Sequence, residues 1–155
     1  MSSIRSRAPI ASSPLVRRVM QANRSVDTSL ERLLRSALHC RGLRFRKHAN
    51  VDASLKCRAD VVFRQARVCV FVDGCYWHGC PKHFRPPKTN TAWWREKITD
   101  NRRRDRNKSA ALERRGWTVI RIWEHELSPK QISKFVDRIE RHVTRCKKKL
   151  RASFL

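Results

Sequence analysis

The sequence predicts an α/β protein, with one mixed central β-sheet flanked by helices. Three observations lead there. Stretches with helical period and stretches of strand length follow one another as α-α-β-β-β-α-β-α, with no internal repeat. The run VCVFV from Val68 to Val72 is apolar at every position, as expected of a strand buried on both faces. The length of 155 residues suits a single domain, and a domain near that size buries roughly two thirds of its unfolded surface.

Taken in order, residues 1–13 are expected to be a flexible basic arm, residues 14–145 the folded domain and residues 146–155 a basic tail. Val16, Val19 and Met20 suggest a short basic helix over 14–24. Thr28 followed by Glu31 is a capping box, with Asp27 adding negative charge at the helix start. Leu30, Leu33, Leu34, Ala37 and Leu38 then share one helical face, and Gly42 is placed to end the helix in a left-handed cap. A short strand is predicted from Leu43 to His48 and another from Ala59 to Phe63, so that Asp60 would stand at the second strand's head. Arg64 to Ala66 is a tight turn before Val68. The glycines and prolines between Asp73 and Lys88 exclude a continuing strand. Asn90 or Thr91 caps a long helix to about Arg115, ended by Gly116. WTVIRIW at 117–123 alternates as a strand does, and Ser128, Pro129 and Gln131 supply N-cap, N1 and N3 of a last helix.

Charge narrows the partner. Lys+Arg is 37 against 13 Asp+Glu, a formal +24, which makes a polyanion, and nucleic acid first, the default partner. The excess is concentrated at the ends: 11 basic against 2 acidic residues over 1–50, 9 against 5 over 51–100, and 17 against 6 over 101–155. A protein that only binds, of ribosomal or chromatin type, satisfies the same charge. Forty per cent hydrophobic residues exclude global disorder, and no apolar run approaches the ~20 residues of a membrane helix. The six cysteines, without a secretory signal, point to thiols or metal ligands in a reducing, cytoplasmic compartment.

The densest chemistry is VFVDGCYWHGCPKH at 70–83. Thiolate and imidazole suit tetrahedral zinc, and a loop with so few apolar residues gains most from a metal staple. One ligand set is Cys75, Cys80 and His83, closed by His125 from WEHE; the rival is the local Cys75, His78, Cys80 and His83. Asp60, at a strand head with a second apolar strand following, is suited to hold Mg²⁺. An ordinary strand-end carboxylate looks the same. His78 is a candidate general base if it is not a zinc ligand. Tyr76 and Trp77 sit in the polar loop, and Trp93 and Trp94 in the first turn of an arginine-rich helix, where one of the pair can be core and the other exposed. Aromatics flanked by basic residues suit contact with bases. Arg102, Arg103 and Arg104 suit phosphates.

Together these features resemble the very short patch repair DNA mismatch endonucleases, over about Val16 to Glu126. The matching stretches are DGCYWHGCP (73–81), FRPPKTNTAWW (84–94), KI…NRRRDR (97–106) and GWTVIRIWEHE (116–126), with RGLRFRKH (41–48) similar to the family's first strand. The resemblance implies a restriction-endonuclease-like core and an enzyme, acting as a monomer, that nicks one strand of duplex DNA 5′ to the thymine of a T·G mismatch left by deamination of 5-methylcytosine. It implies a metal-binding role for Asp60, a backbone carbonyl ligand at Val72, water activation by His78, and supporting acids at Glu31 and Asp105. It further implies a wedge of Tyr76, Trp77 and Trp94, and structural zinc on Cys75, Cys80, His83 and His125. Met20 and Lys88 join the arginines as expected DNA contacts. Three positions depart from the pattern. Asp73, expected in the catalytic set, stands where some members carry a histidine of the catalytic network and would bring a carboxylate nearer the metal; His83 and His125 replace or shift cysteine ligands, and Ala59 stands where many members have proline. A zinc-stapled DNA-binding module without activity, or a restriction- or homing-type nuclease cutting matched DNA, would share much of this sequence.

Overall fold

The computed structural model describes Pro14, Arg18 and residues 27–152, apart from the side chains of 149–151. The expected arm, most of the 14–24 helix and Met20 lie outside the described residues. Helix α1 (Ser29–Cys40) starts where its capping box requires. Thr28 Oγ1 accepts from the Glu31 amide at 3.2 Å, and the Glu31 carboxylate reaches back to the Asp27 amide at 2.9 Å. Gly42, at φ 71°, ends the helix, its amide on the His39 carbonyl and the Leu43 amide on Leu38.

Four strands follow: β1 (Arg46–Asp52), β2 (Cys57–Phe63), β3 (Val68–Asp73) and β4 (Thr118–Trp123). They lie in sequence order. The first two junctions are antiparallel and the β3–β4 junction is parallel. The parallel step needs a long crossover, which the loop and helix α2 (Thr91–Arg114) supply. Helix α3 (Ile132–Ala152) completes the described chain.

The sheet is covered on both sides. Leu34 and Leu38 of α1 and Phe135, Val136, Ile139 and Val143 of α3 pack with Val61, Phe63, Val68, Val70, Ile120 and Ile122. On the other side Leu112 of α2 packs with Val51, Cys57, Ala59, Val62 and Cys69. The expectation of a mixed, helix-flanked α/β sheet is met, and Val68 and Val70 are fully buried. All six cysteines are free thiols.

Three boundaries differ from the sequence reading. Strand β1 begins at Arg46 and runs to Asp52, because its hairpin partner extends it. A 3-10 turn at Ala53–Leu55 with Lys56 in the left-handed region closes that hairpin. Strand β2 begins at Cys57 for the same reason, so Asp60 is its central residue and not its head. Helix α3 begins at Ile132, since residues 129–131 form a turn in which the Gln131 and Ile132 amides share the Ser128 carbonyl. That helix continues past Arg145 to Ala152 without a break.

Candidate active site and metal cluster

Asp60 owes its position to a local break in the sheet. Ala59 packs in one core cluster and Val61 in the other, although strict alternation would place them on the same face. The chain changes face opposite it, with Phe45 just before β1 on one cluster and Ala49 and Val51 of β1 on the other. Between them His48, at φ 43°, and Asp60 are skipped in the ladder while the register on either side is kept. Strand β2 also pairs with β3 only from Val61 onward. The Asp60 carboxylate fills the resulting fork, accepting the Val72 amide at 2.7 Å.

Two side chains join it there. His48 Nδ1 is 3.7 Å from Asp60 Oδ1, and His48 Nε2 is 3.5 Å from Glu31 Oε2. The three lie close enough to share one ion. Two carboxylates and an imidazole suit a divalent cation that takes oxygen ligands. Burial pushes the Asp60 carboxyl up to about 6, the Val72 amide opposes that shift, and Glu31 adds to it. Val72 contacts Asp60 through its amide. Glu31 is 5% exposed and lies 3.6 Å from Arg35. His48, which the sequence reading did not single out, is brought in by the hairpin.

One residue beyond Val72 a second network begins. His78 Nδ1 lies 2.6 Å from Asp105 Oδ2 on α2 and 3.7 Å from Asp73 Oδ1. Although burial alone would lower it, the Asp105 hydrogen bond and the Asp73 charge hold the His78 pKa above the ordinary histidine value. Asp73 is buried and clamped by Arg121, whose Nε and Nη2 donate to its two oxygens at 2.7 and 2.6 Å. Arg121 also lies 3.5 Å from Asp105 and covers the Phe71 ring. Asp73 is therefore part of an ion pair and is not among the three residues of the Asp60 cluster. The sequence reading missed Arg121. Its only signal was a charged residue between two isoleucines in a strand.

The loop after β3 is held from both ends. The Cys75 amide donates to Glu124 at 2.6 Å, and Cys80 donates back to the Cys75 carbonyl at 2.8 Å. Gly79 sits at φ 65°, where a Cβ would come within 2.5 Å of Ile98 on α2, so only glycine allows this approach. These constraints converge Cys75, Cys80, His83 and His125, with ligand atoms all within 4.8 Å of one another. Cys75 Sγ lies 3.1 Å from His125 Nδ1, and Cys80 Sγ lies 3.6 Å from His83 Nδ1. Metal–ligand bonds of ~2.0–2.3 Å in a tetrahedron require ligand atoms roughly 3.3–3.8 Å apart, so the four could hold a metal ion. Burial pushes the Cys75 thiol up to about 11, and a bound cation would reverse that by favouring thiolate. The rival local set does not form, because His78 turns away to Asp105.

Beside this cluster four aromatic rings pack together. Tyr76 lies 5.2 Å from Trp77 and 5.5 Å from Trp94, centre to centre, and Trp94 lies 4.9 Å from Trp93. Trp77 is 37% exposed, whereas Trp94 is only 9% exposed. Trp94, expected among the base-contacting aromatics, is thus the floor on which Tyr76 and Trp77 stand. Lys88, Arg102, Arg103 and Arg104 are exposed. Arg103 pairs with Asp100, and Arg104 bonds Asn101.

Residues 14–83 match the protein family described as DNA mismatch endonuclease Vsr. Over 122 residues the chain is 43% identical to the type II nicking enzyme V.NaeI of Lentzea aerocolonigenes, covering 77% of this chain and 74% of that protein. The chain belongs to the Vsr family of DNA endonucleases. It is also 43% identical over 113 residues to the type II nicking enzyme V.XorIIP of Xanthomonas oryzae pv. oryzae, covering 72% and 81% of the two chains. To the DNA mismatch endonuclease Vsr of Escherichia coli it is 41% identical over 106 residues, covering 68% and 66%. As a Vsr-family endonuclease the protein acts on DNA, which accounts for a formal charge of +24. No described helix is long and apolar enough to cross a membrane.

Proposed function

We propose that the protein nicks one strand of duplex DNA 5′ to the thymine of a T·G mismatch, in a Mg²⁺-dependent reaction, and acts as a monomer in the cytoplasm. The observation that carries this reading is the adjacency of the Asp60 fork to the His78–Asp105 pair, with half-buried Tyr76 and exposed Trp77 on the same loop.

Asp60 and Glu31 would hold the magnesium ion, with the Val72 carbonyl and His48 at its side. When bound, it neutralises charge on the scissile phosphate and the leaving oxygen. His78 takes the proton of the attacking water at Nε2. Asp105 accepts a hydrogen bond from Nδ1–H, which fixes the tautomer and aims the free nitrogen. Arg121 and Asp73 hold Asp105 and His78 in that orientation from behind. Lys88 and Arg102–Arg104 hold phosphates. Tyr76 and Trp77, supported by Trp94, enter the stack at the mismatch, where unstacking costs less than at paired bases. The Cys75, Cys80, His83 and His125 cluster would hold structural Zn²⁺, which would keep this loop in place.

The relatives named as type II nicking enzymes support strand nicking without naming a mismatch, which leaves nicking at a matched site as a second reading. One assay separates the readings: nicking of matched and T·G duplexes with varied flanks, with and without Mg²⁺. Mg²⁺-dependent nicking of the T·G duplex alone is expected. Equal nicking of both duplexes would favour the matched-site enzyme, and binding without nicking would leave a DNA-binding module. Trp77→Ala should lower mismatch preference more than matched-DNA binding, and equal losses on both duplexes would remove the wedge.

A further inference from the structure

Helix α3 carries a row of charge that the site does not use. Lys134, Arg138, Arg141, Arg145 and Lys148 recur at spacings of four, three, four and three, and all are exposed. At 100° per residue they fall within about 80° of one another. The apolar residues Val136, Ile139 and Val143, which face the core, occupy the other side of the helix. Every acidic side chain of the sequence lies among the described residues, and none lies in this row. The neighbouring acids Asp137 and Glu140 are turned to Arg41 of α1, at 2.6 and 3.0 Å. Arg141 reaches only a backbone carbonyl of its own helix. Burial, then the charges of Arg138, Arg141 and Arg145, hold His142 below the ordinary histidine value, as an unneutralised positive surface would.

Like charges three and four residues apart weaken a helix. A fully basic row with no ion-pair partner among the described residues therefore costs the fold stability and offers it nothing in return. Its dimensions fit one class of partner. Fourteen residue steps at 1.5 Å span about 21 Å, and a duplex presents about six phosphates per strand over that length. The row also lies on the sheet face opposite α2, which carries Arg102–Arg104. The two helix layers and the sheet stand between these surfaces, so one straight segment of duplex cannot lie on both.

We propose that this face of α3 is a second DNA-backbone surface, which holds a separate duplex segment while the α2 face is occupied. Contact is to phosphate and is independent of sequence. The surface thus lets the protein pass between DNA segments without first letting go. The proposal needs only that the protein binds DNA, and it stands whether or not T·G mismatches are the target.

The experiment uses the full chain with two short matched duplexes carrying different fluorophores, without added divalent cation. Energy transfer reads their joint capture, and sedimentation mass confirms one chain per pair. The wild type should hold both duplexes. Arg138→Gln, Arg141→Gln and Arg145→Gln together should hold one. In the wild type the second binding step should weaken with salt with a slope of at least about 2.7, from 0.9 for each of three phosphate contacts. The three corresponding lysine substitutions should keep both duplexes. Glutamine removes repulsion within the helix and keeps its propensity, so the thermal midpoint serves as the folding control. Single-duplex binding by a wild type that never captures two would overturn the proposal, as would a glutamine variant that still holds two or loses all DNA binding. Displacement of the second duplex by poly-glutamate at equal charge would point to an acidic protein partner and would also overturn it.

Discussion

Replacing Asp60 with asparagine should stabilise the protein at neutral pH while abolishing nicking. In the absence of a bound cation the folded protein holds the Asp60 proton up to about pH 6, against an ordinary value of 3.8. Between those values the folded state binds a proton that the unfolded chain has released, so wild-type stability falls as pH rises through that window. A shift of about two units corresponds to roughly 3 kcal/mol above pH 6. Asp60 retains 23% side-chain exposure, which reduces this to about 1–3 kcal/mol. Asparagine keeps an acceptor for the Val72 amide and has no charge to desolvate. Urea unfolding at pH 4.5 and 7.5, without added Mg²⁺, measures the gap between variant and wild type. The gap should favour the variant and widen by ~1–2 kcal/mol at the higher pH. Added Mg²⁺ should raise wild-type stability at pH 7.5 and leave the variant unchanged, because only the carboxylate is a good ligand. A gap that does not change with pH would refute the account of Asp60 as a desolvated carboxylate. Nicking by the variant at the wild-type rate would refute its catalytic role.

Three further outcomes follow from the site. Cys80→Ala should lose metal and stability together in elemental analysis and thermal melting, from about one ion per chain, whereas His78→Ala should retain its metal. The same His78→Ala protein should lose ~10²–10⁴-fold in single-turnover nicking and recover part of it as pH rises. In the wild type the acid limb of the rate profile should lie above the ordinary histidine value, since the His78 pKa is raised, and Asp105→Asn should move that limb downward. Arg121→Met strands the buried Asp73 carboxylate and should cost about 3 kcal/mol in urea unfolding; the double change with Asp73→Asn should recover much of that, and additive losses would show that the pair is not coupled.

Much of this molecule is written in short-range pattern. Thr28, Glu31 and Gly42 state the ends of α1 because caps are interactions among residues three or four apart. The runs at 68–72 and 117–123 state two strands because one is apolar throughout and the other alternates. Cys75, Cys80, His83 and His125 were recognisable as a ligand set from residue chemistry, although only the fold turned His78 away from it. The residue pattern left open which of Trp93 and Trp94 is core, and the family resemblance placed Trp94 in the wedge; packing against Tyr76 buries Trp94.

Tertiary structure alone decided what depends on pairing. Asp60 reads as a strand head because Cys57 and Arg58 lie outside any apolar run; the hairpin to β1 made them strand. That pairing set His48 opposite Asp60, and the skipped rung at this point turned both toward Glu31. Arg121 meets Asp73 across the parallel β3–β4 junction, 48 residues away in sequence. Capping and periodicity involve neighbours along the chain and can be read from it. Register, strand direction and the partner of a buried charge are set by which distant segments can bury their apolar faces together, and no local pattern encodes that choice.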